Sequence, residues 1–165
     1  MNRFRVGAAA FGAVTVLAVA GMPGQALAQS AGGFEHFTIT QSSPSGGPVL
    51  AYGAFNASGT DVEHGTNPSM GTGTFHFPNG TVNASHTSDP GGTFHFNPVT
   101  CVGHFTGTGD YTLTGGTGAY RGIRGHGEFT LNGTAISAHT AHGCGQQIGQ
   151  LVIVKAQGAV SFGTD

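Results

Sequence analysis

Two cysteines and three histidines have the spacing at which metal ligands occur in small proteins. Cys101 and His104 are separated by two residues, and a second group contains His139, His142 and Cys144. Two thiolates and two imidazoles would hold Zn²⁺ with tetrahedral geometry if both cysteines were reduced. Strand alternation would send Cys101 and His104 to opposite faces, and exported chains keep few free thiols. We therefore predict no metal site and no cofactor, and keep histidine-based metal binding as an alternative.

The cysteines have a second interpretation as partners of each other. The chain has two of them, Cys101 and Cys144, and an even count in an exported protein predicts one disulfide bond. Closing a loop of that size would stabilise the fold by about 4 kcal/mol, because it reduces the entropy of the unfolded chain.

His86, Arg121 and Arg124 are weaker candidates for a ligand site. His86 shares a face with two apolar residues of its predicted strand, and a neutral imidazole in a lumen could act as an acid or base near pH 7. Its place at a strand end favours a position at the rim of the lumen. Arg121 and Arg124 follow a glycine-rich turn, and alternation leaves at least one of them in solvent.

The acidic residues give no recognisable catalytic arrangement. Asp61, Glu63 and Asp110 lie near predicted strand ends and are expected to be exposed, as most carboxylates are. The Gly-x-Ser-x-Gly signature of serine hydrolases is absent, and no Ser-His-Asp set or carboxylate pair stands out. Hydrolase chemistry is unsupported, and the catalytic residues, if there are any, stay unidentified.

The N-terminal segment has the three parts of a secretion signal. Two arginines precede an apolar run over residues 6–20, and an Ala-Leu-Ala sequence ends at Ala28. We predict a signal peptide over residues 1–28 and one domain over residues 29–165. The apolar run is too short for a comfortable membrane span, so the domain is expected to be secreted without an anchor.

The composition predicts a neutral, turn-rich β-protein. Only 7% of the residues are charged, and the chain has 31 glycines and 12 phenylalanines. After removal of the signal, seven acidic residues face three basic ones, so the chain lacks the positive surface that nucleic-acid binding requires.

Short alternating runs bounded by Gly, Pro, Asn and Ser predict strands and no long helix. Phe37 and Ile39 are expected on a buried face, with Glu35 and Thr38 on the other. The candidate strands are Phe34–Gln41, Val49–Asn56, Thr60–Gly65, Gly71–Phe77, Thr81–Thr87, Gly92–Phe96, Val99–Thr106, Asp110–Thr114, Gly125–Gly133 and Ile148–Phe162. Bulges within fewer, longer strands would reduce them to eight.

The pentapeptide Gly-Thr-Phe-His-Phe occurs twice, at residues 73–77 and 92–96. The intervening strand over residues 81–87 predicts a consecutive three-stranded meander. A sheet with one apolar face must stack or close on itself, and closure removes exposed edges. We expect four phenylalanines of the repeats to fill the lumen of a barrel, namely Phe75, Phe77, Phe94 and Phe96.

The segment Gly-Gly-Thr-Gly-Ala-Tyr-Arg-Gly at residues 115–122 resembles the Gly-Gly-Thr-Gly-aromatic segment of allene-oxide-cyclase-like and dirigent-like barrels. Combined with Phe77-Pro-Asn-Gly-Thr, Pro98-Val-Thr-Cys and Gln147-Ile-Gly-Gln-Leu-Val-Ile, it also resembles small secreted actinobacterial β-barrel proteins. The resemblance implies an all-β, calycin-like, eight-stranded antiparallel barrel with paired cysteines, and it implies no activity. The glycines permit positive φ, and Tyr120 is expected to plug one end of the barrel.

These observations predict a secreted barrel that acts as a non-catalytic binding or envelope-associated interaction module. Its partner would be a small apolar molecule or an envelope component, and a homo-oligomer is compatible with the sequence. The alternative is an allene-oxide-cyclase-like or dirigent-like isomerase or cyclase. A lumen packed with phenylalanine and Tyr120 would oppose this alternative, whereas a cavity of about 300 Å³ or more with an ionisable group would favour it.

Overall fold

A computed structural model describes residues 32–65, 67 and 69–163, so the predicted signal peptide lies outside the described residues. The described residues form nine antiparallel strands and one short 3₁₀ helix, η1. The strands are β1 Gly32–Gln41, β2 Gly46–Gly53, β3 Ala57–His64, β4 Met70–Phe77, β5 Gly80–Ser88, β6 Thr93–Asn97, β7 Val102–Gly116, β8 Ile123–Thr140 and β9 Gly143–Phe162, with η1 at Gly118–Tyr120 between β7 and β8.

Eight of these strands close into a barrel. The first five pair in sequence order, β9 pairs with β1, β8 with β9 and β7 with β8. Pairing between β5 and β7 completes the ring. Every pairing is antiparallel, and closure leaves these eight strands without the free edges of an open sheet. The predicted eight-stranded antiparallel barrel is confirmed.

β6 lies outside the ring and forms part of an extension of the sheet. The extension consists of β6 and residues 102–106 of β7, 132–140 of β8 and 143–151 of β9, which run beyond the last residues paired with β1 and β5. The predicted three-stranded meander is therefore wrong. β5 pairs with β7, and β6 pairs only with the first part of β7.

A disulfide bond joins Cys101, just before β7, to Cys144 near the start of β9. The predicted pairing is confirmed. The backbone N–H of Ser137 in β8 donates a hydrogen bond of 2.9 Å to the Cys101 carbonyl oxygen. The covalent bond and the strand pairing together fix the outer part of the extension.

The Gly-Gly-Thr-Gly segment leads into η1 and covers one end of the barrel. Gly118 has φ +58°, and a Cβ there would overlap the Asn79 carbonyl oxygen, so the close approach requires glycine. The adjacent Ala119 N–H donates to that same oxygen at 2.9 Å. This approach directs Tyr120 inward, where its ring centroid lies 5.0 Å from that of Phe55 and 5.3 Å from that of Phe77.

Candidate ligand-binding site

The two ends of the lumen differ. At the end covered by η1, hereafter the closed end, the rings of Phe55, Phe77, Tyr120 and Phe162 pack together. At the opposite end, hereafter the open end, the lumen holds a cavity of about 300 Å³. Its mouth includes Gln41, where β1 ends, and Ser88, where β5 ends. We call this space the open-end cavity.

Apolar side chains form most of the wall of the open-end cavity. Aromatic rings come from β1, β4, β7 and β8, and aliphatic side chains come from β1, β5, β8 and β9. They include Phe37, Ile39, Phe75, Ala84, Tyr111, Phe129, Leu131, Val152 and Val154. Such a wall suits an apolar molecule, because burying its surface away from water is favourable.

The polar part of the wall lies on three neighbouring strands. Glu63 on β3 is paired in register with Gly73 on β4, and His86 on β5 is paired with Gly71. The His86 ring lies over Gly71, and a Cβ at Gly73 would approach the Glu63 carboxyl. The two glycines of β4 thus provide the space that these polar side chains occupy.

Asp61 is buried beside this group, although the sequence analysis predicted an exposed side chain. The side chain of Gln41 donates a hydrogen bond of 3.1 Å to Asp61 Oδ2. Oδ1 is buried, accepts no hydrogen bond within the described part of the chain, and lies 3.1 Å from the position of a Cβ at Gly73. Burial, followed by the Glu63 carboxylate, raises the pKa of Asp61 to about 6.

Glu63 and His86 complete the polar group. His86 Nδ1 lies 4.0 Å from Glu63 Oε2. Burial raises the pKa of Glu63 above its usual range and lowers the pKa of His86, against an opposing effect of Asp61 on the histidine. At neutral pH the imidazole is therefore largely uncharged, and the charge of the group formed by Asp61, Glu63 and His86 is negative. We call these three residues the acidic cluster.

Tyr111 forms part of the inner wall of the cavity. Its ring lies 6.0 Å from that of Phe37 in an edge arrangement. Its hydroxyl is buried and has no hydrogen-bond partner within the described residues. Burial, with a smaller effect of Glu35, raises the pKa of Tyr111 to about 12, so the phenol is neutral and can donate a hydrogen bond.

Glu35 is the other fully buried carboxyl, and like Asp61 it is absent from the wall of the open-end cavity. The backbone N–H of Phe55 donates to Glu35 Oε2 at 2.9 Å, and Oε1 has no hydrogen-bond partner in the described chain. Burial raises the pKa of Glu35 to about 7, against the lowering effect of hydrogen bonds from the backbone, Phe55 first.

The sequence contains a signal for these buried carboxyls. Glu35 is two residues before Phe37, so period-two alternation puts both on one face, and its predicted position opposite Phe37 is wrong. Asp61 and Glu63 also share one face of β3. The general preference of carboxylates for the surface does not hold at Asp61, and its predicted exposure is wrong.

The predicted lumen residues separate into two groups. Phe75 lines the open-end cavity, and Phe77 and Tyr120 belong to the closed end. Phe94 and Phe96 are exposed on β6, so the prediction that they fill the lumen is wrong. The reason is that β6 pairs with β7 outside the barrel.

The other candidate residues lie away from the open-end cavity. Arg121 and Arg124 are exposed where η1 leads into β8, and Arg124 Nη1 donates to the Ile123 carbonyl oxygen at 2.9 Å. His86 is the one member of the predicted ligand set that lines the cavity in the described structure.

The cysteine and histidine set does not form the alternative zinc site. Cys101 and Cys144 are bonded to each other and cannot act as two thiolate ligands. His104 Nδ1 lies 3.1 Å from the Thr134 hydroxyl, and His139 Nε2 lies 2.8 Å from a backbone carbonyl oxygen. His142 is exposed in the β8–β9 turn. The described residues contain no group of three or more His, Cys, Asp or Glu side chains arranged to hold a metal ion.

Comparisons with known proteins leave the family open. No family model matches the chain, and no curated protein matches it. Among solved structures, the chain is similar to the pterocarpan synthase dirigent protein GePTS1, with 11% sequence identity, coverage of 81% of this chain and 86% of that chain, and a TM-score of 0.20. The assignment of a barrel rests on the pairing of the strands within this chain. In the part of the chain that the structure describes, no helix is long and apolar enough to cross a membrane.

Proposed function

We propose that the protein binds a small, largely apolar molecule in the open-end cavity. The observation that carries this proposal is a space of about 300 Å³ with aromatic and aliphatic walls and a few polar groups gathered on one side. Binding sites for small molecules typically combine apolar walls with a small number of orienting polar groups. Because the cavity reaches an end of the barrel, a ligand can enter without separating two strands.

The extension offers further apolar surface beside the mouth. Val152 lines the cavity and pairs in register with Gly133, and the Phe105 ring lies over Gly133. Phe94 is paired with Phe105, so both rings are on the same face of the sheet. The inner face of the barrel is therefore continuous with the aromatic face of the extension, which supports passage of an apolar molecule from solvent.

The disulfide bond supports a site of action outside the cytoplasm. Such bonds persist in oxidising compartments and are rare in reducing ones. Secretion through the predicted signal peptide is part of this proposal, as is a role for the bound molecule as cargo or signal rather than as substrate.

Fluorescence of a neutral apolar probe tests the proposal. N-phenyl-1-naphthylamine should show increased emission when added to the disulfide-bonded protein, because emission increases on transfer to an apolar site. Ala84 lines the cavity, and the variant Ala84→Trp should abolish the increase by filling the space. Thr87→Trp, on the outer face of the same strand, is the matched control and should retain it. Equal emission with both variants would refute lumen binding.

A second candidate function is acid–base catalysis on the bound molecule, as in the isomerase or cyclase alternative. The observation that favours it is the acidic cluster, where burial moves the pKa of Asp61 to about 6 and raises that of Glu63. Groups with a pKa near the working pH suit general acid–base catalysis.

Ring opening of 5-nitrobenzisoxazole tests this second candidate. A base removes the carbon-bound proton of the heterocycle, the N–O bond breaks, and a coloured cyanophenolate forms. The carboxylate of Glu63, which lines the cavity, should accelerate this reaction in the wild-type protein but not in Glu63→Gln. If the two proteins give the same rate while both still bind the naphthylamine probe, the barrel binds without catalysing proton transfer.

A further inference from the structure

The charges of the barrel are distributed unevenly between its inside and its outside. Three acidic side chains, Glu35, Asp61 and Glu63, are at inward-facing positions of β1 and β3; the first two are buried, and Glu63 lines the open-end cavity. The described basic residues are Arg121, Arg124 and Lys155, and all three are exposed. In the described part of the chain, therefore, no lysine or arginine neutralises the carboxyls of the lumen.

Within the acidic cluster, Asp61 is the group whose bonding is least complete. Its Oδ2 accepts the hydrogen bond from Gln41, but its buried Oδ1 accepts none from the described residues. Asp61 itself does not line the cavity, but its Oδ1 lies against Gly73, which does. A buried ionised carboxylate without a partner is costly, so a positive charge held in the cavity close to it would be favoured. His86 does not supply this charge at neutral pH, because burial lowers its pKa.

The space next to the cluster is apolar. Phe75, Tyr111 and Phe129 line the cavity, and the described residues there provide no group that resembles the coordination shell of a metal ion. A bare inorganic cation would leave these aromatic walls uncovered. An organic cation would cover them with its hydrocarbon part and could place its charge near aromatic faces as well as near the carboxylates.

On the basis of the proposed function, we infer that the ligand of the open-end cavity is an organic cation, with a protonated amine or quaternary ammonium head at Glu63, the charge of Asp61 behind the wall, and a hydrocarbon body among the aromatic side chains. This inference deepens the proposed function, since it assigns a chemical class to the molecule that the cavity takes. The cluster provides the charge selectivity, and the apolar wall provides the contact area.

A series of three probes with one hydrocarbon body tests the inference. They are 4-phenylbutylamine, 4-phenylbutan-1-ol and 5-phenylpentanoate, which share a phenylbutyl body and differ in carrying a positive charge, no charge and a negative charge. Isothermal titration calorimetry with the purified, disulfide-bonded protein near neutral pH should give at least about tenfold tighter binding for the amine than for the alcohol. The carboxylate should bind most weakly, because it is repelled by Asp61 and Glu63.

Conservative variants show which carboxyl produces the preference for the amine. Glu63→Gln should weaken binding of the amine to about the level of the alcohol, a loss of about tenfold, and leave the affinity of the alcohol nearly unchanged, because Glu63 lines the cavity. Asp61→Asn should produce a smaller loss of the same kind, because its carboxyl lies behind the wall. Asp110→Asn, an exposed position on the outer face of β7, is the matched control and should retain the full preference. If Asp61→Asn fails to fold, Glu63→Gln and the wild-type probe series still decide the question.

The outcomes separate this inference from the proposed function. Equal affinities of the wild-type protein for amine and alcohol, with both displacing N-phenyl-1-naphthylamine, would overturn the cationic ligand and leave lumen binding in place. Failure of the naphthylamine probe itself to bind would overturn the proposed function. Preference for the amine that persists in both Asp61→Asn and Glu63→Gln would also overturn the inference, because the charge would then be recognised elsewhere.

Discussion

The inner side chains of β4 show how the two ends of the lumen come to differ. From the open end to the closed end they are Gly71, Gly73, Phe75 and Phe77. The glycines leave room for charged and polar side chains from the neighbouring strands, and the phenylalanines pack against other rings. One strand therefore contributes both to a binding cavity and to a solid core, and the size of alternate residues decides which of the two forms.

The buried carboxyls of the lumen show the same contrast. Glu35 accepts a hydrogen bond from the backbone of Phe55, a residue of the closed end, and does not line the open-end cavity. Asp61 is also absent from the wall, but it accepts a hydrogen bond from Gln41 and lies against Gly73, and both of these residues line the cavity. The comparison suggests that a buried carboxyl is a ligand candidate when a cavity adjoins it, and a part of the core when aromatic packing surrounds it.

Truncation at the closed end should have the largest effect on stability. Phe55 contacts the rings of Phe37, Phe77, Tyr120 and Phe162. Phe55→Ala should lower the free energy of unfolding by about 3–5 kcal/mol, because a cavity replaces a buried ring. Urea denaturation measures this loss. A loss below about 1 kcal/mol would mean that the closed end is not a packed core.

The pH dependence of stability should reveal the raised pKa of Glu35. Its pKa is raised from 4.5 to about 7 in the folded protein, so below about pH 4.5 the carboxyl is protonated in both states. As the pH rises to about 7, the unfolded chain releases this proton first, and the folded state should lose about 3 kcal/mol of relative stability. Glu35→Gln should remove this part of the dependence, as measured by urea denaturation between pH 4 and pH 8.

Glu128→Gln is the control for this pH profile, because Glu128 is exposed on the same barrel. It should retain the decrease in stability with rising pH. If Glu35→Gln and Glu128→Gln give the same profile, the decrease does not originate from the buried carboxyl near Phe55.

A bound cation should distinguish Glu35 from the acidic cluster. At ten times its dissociation constant, 4-phenylbutylamine should stabilise the fold by about 1.4 kcal/mol, since it binds only the folded state. We expect this stabilisation in Glu35→Gln and its reduction to about 0.4 kcal/mol in Glu63→Gln at the same ligand concentration, because that variant binds the amine about tenfold more weakly. Thermal unfolding with and without the amine measures it, and loss of the effect in Glu35→Gln alone would reverse the assignment of the two ends.

The smallest effect is expected on the extension. Phe94→Ala should change the free energy of unfolding by less than about 1 kcal/mol, because the ring is already exposed in the folded state. Phe75→Ala, at the equivalent position of the repeated pentapeptide, should lower it by about 3 kcal/mol, less than Phe55→Ala, because Phe75 borders the cavity. Similar losses in urea denaturation would show that the β6 copy is buried in solution, by the barrel or by another molecule.

The repeated pentapeptide marks the limit of what local sequence predicts. In the first copy Phe75 is 6% exposed, and in the second copy Phe94 is 63% exposed, although their neighbours are identical. Alternation predicted strands at both places. Pairing between β5 and β7 could not be inferred from it, because this partner choice depends on contacts between residues distant in sequence.

Other features could be predicted from the sequence because their causes are local or compositional. The two cysteines predicted their own bond, and the glycines near Tyr120 predicted a tight turn. The open-end cavity could not be predicted from local sequence. It depends on Gly71 and Gly73 lying beside Glu63 and His86, an arrangement created by the register of three strands.

The most direct test of the central claim is a titration of methyl resonances by NMR with 4-phenylbutan-1-ol. Binding in the open-end cavity should shift the methyl signals of Leu131, Val152 and Val154, which line it, and leave those of Val82, Ile123 and Val160, buried outside its wall, nearly unchanged. Asp61→Asn should show the same pattern, because this probe is neutral. Absence of shifts at the first three residues at saturating probe, or equal shifts in both sets, would contradict a binding site at the open end of the barrel.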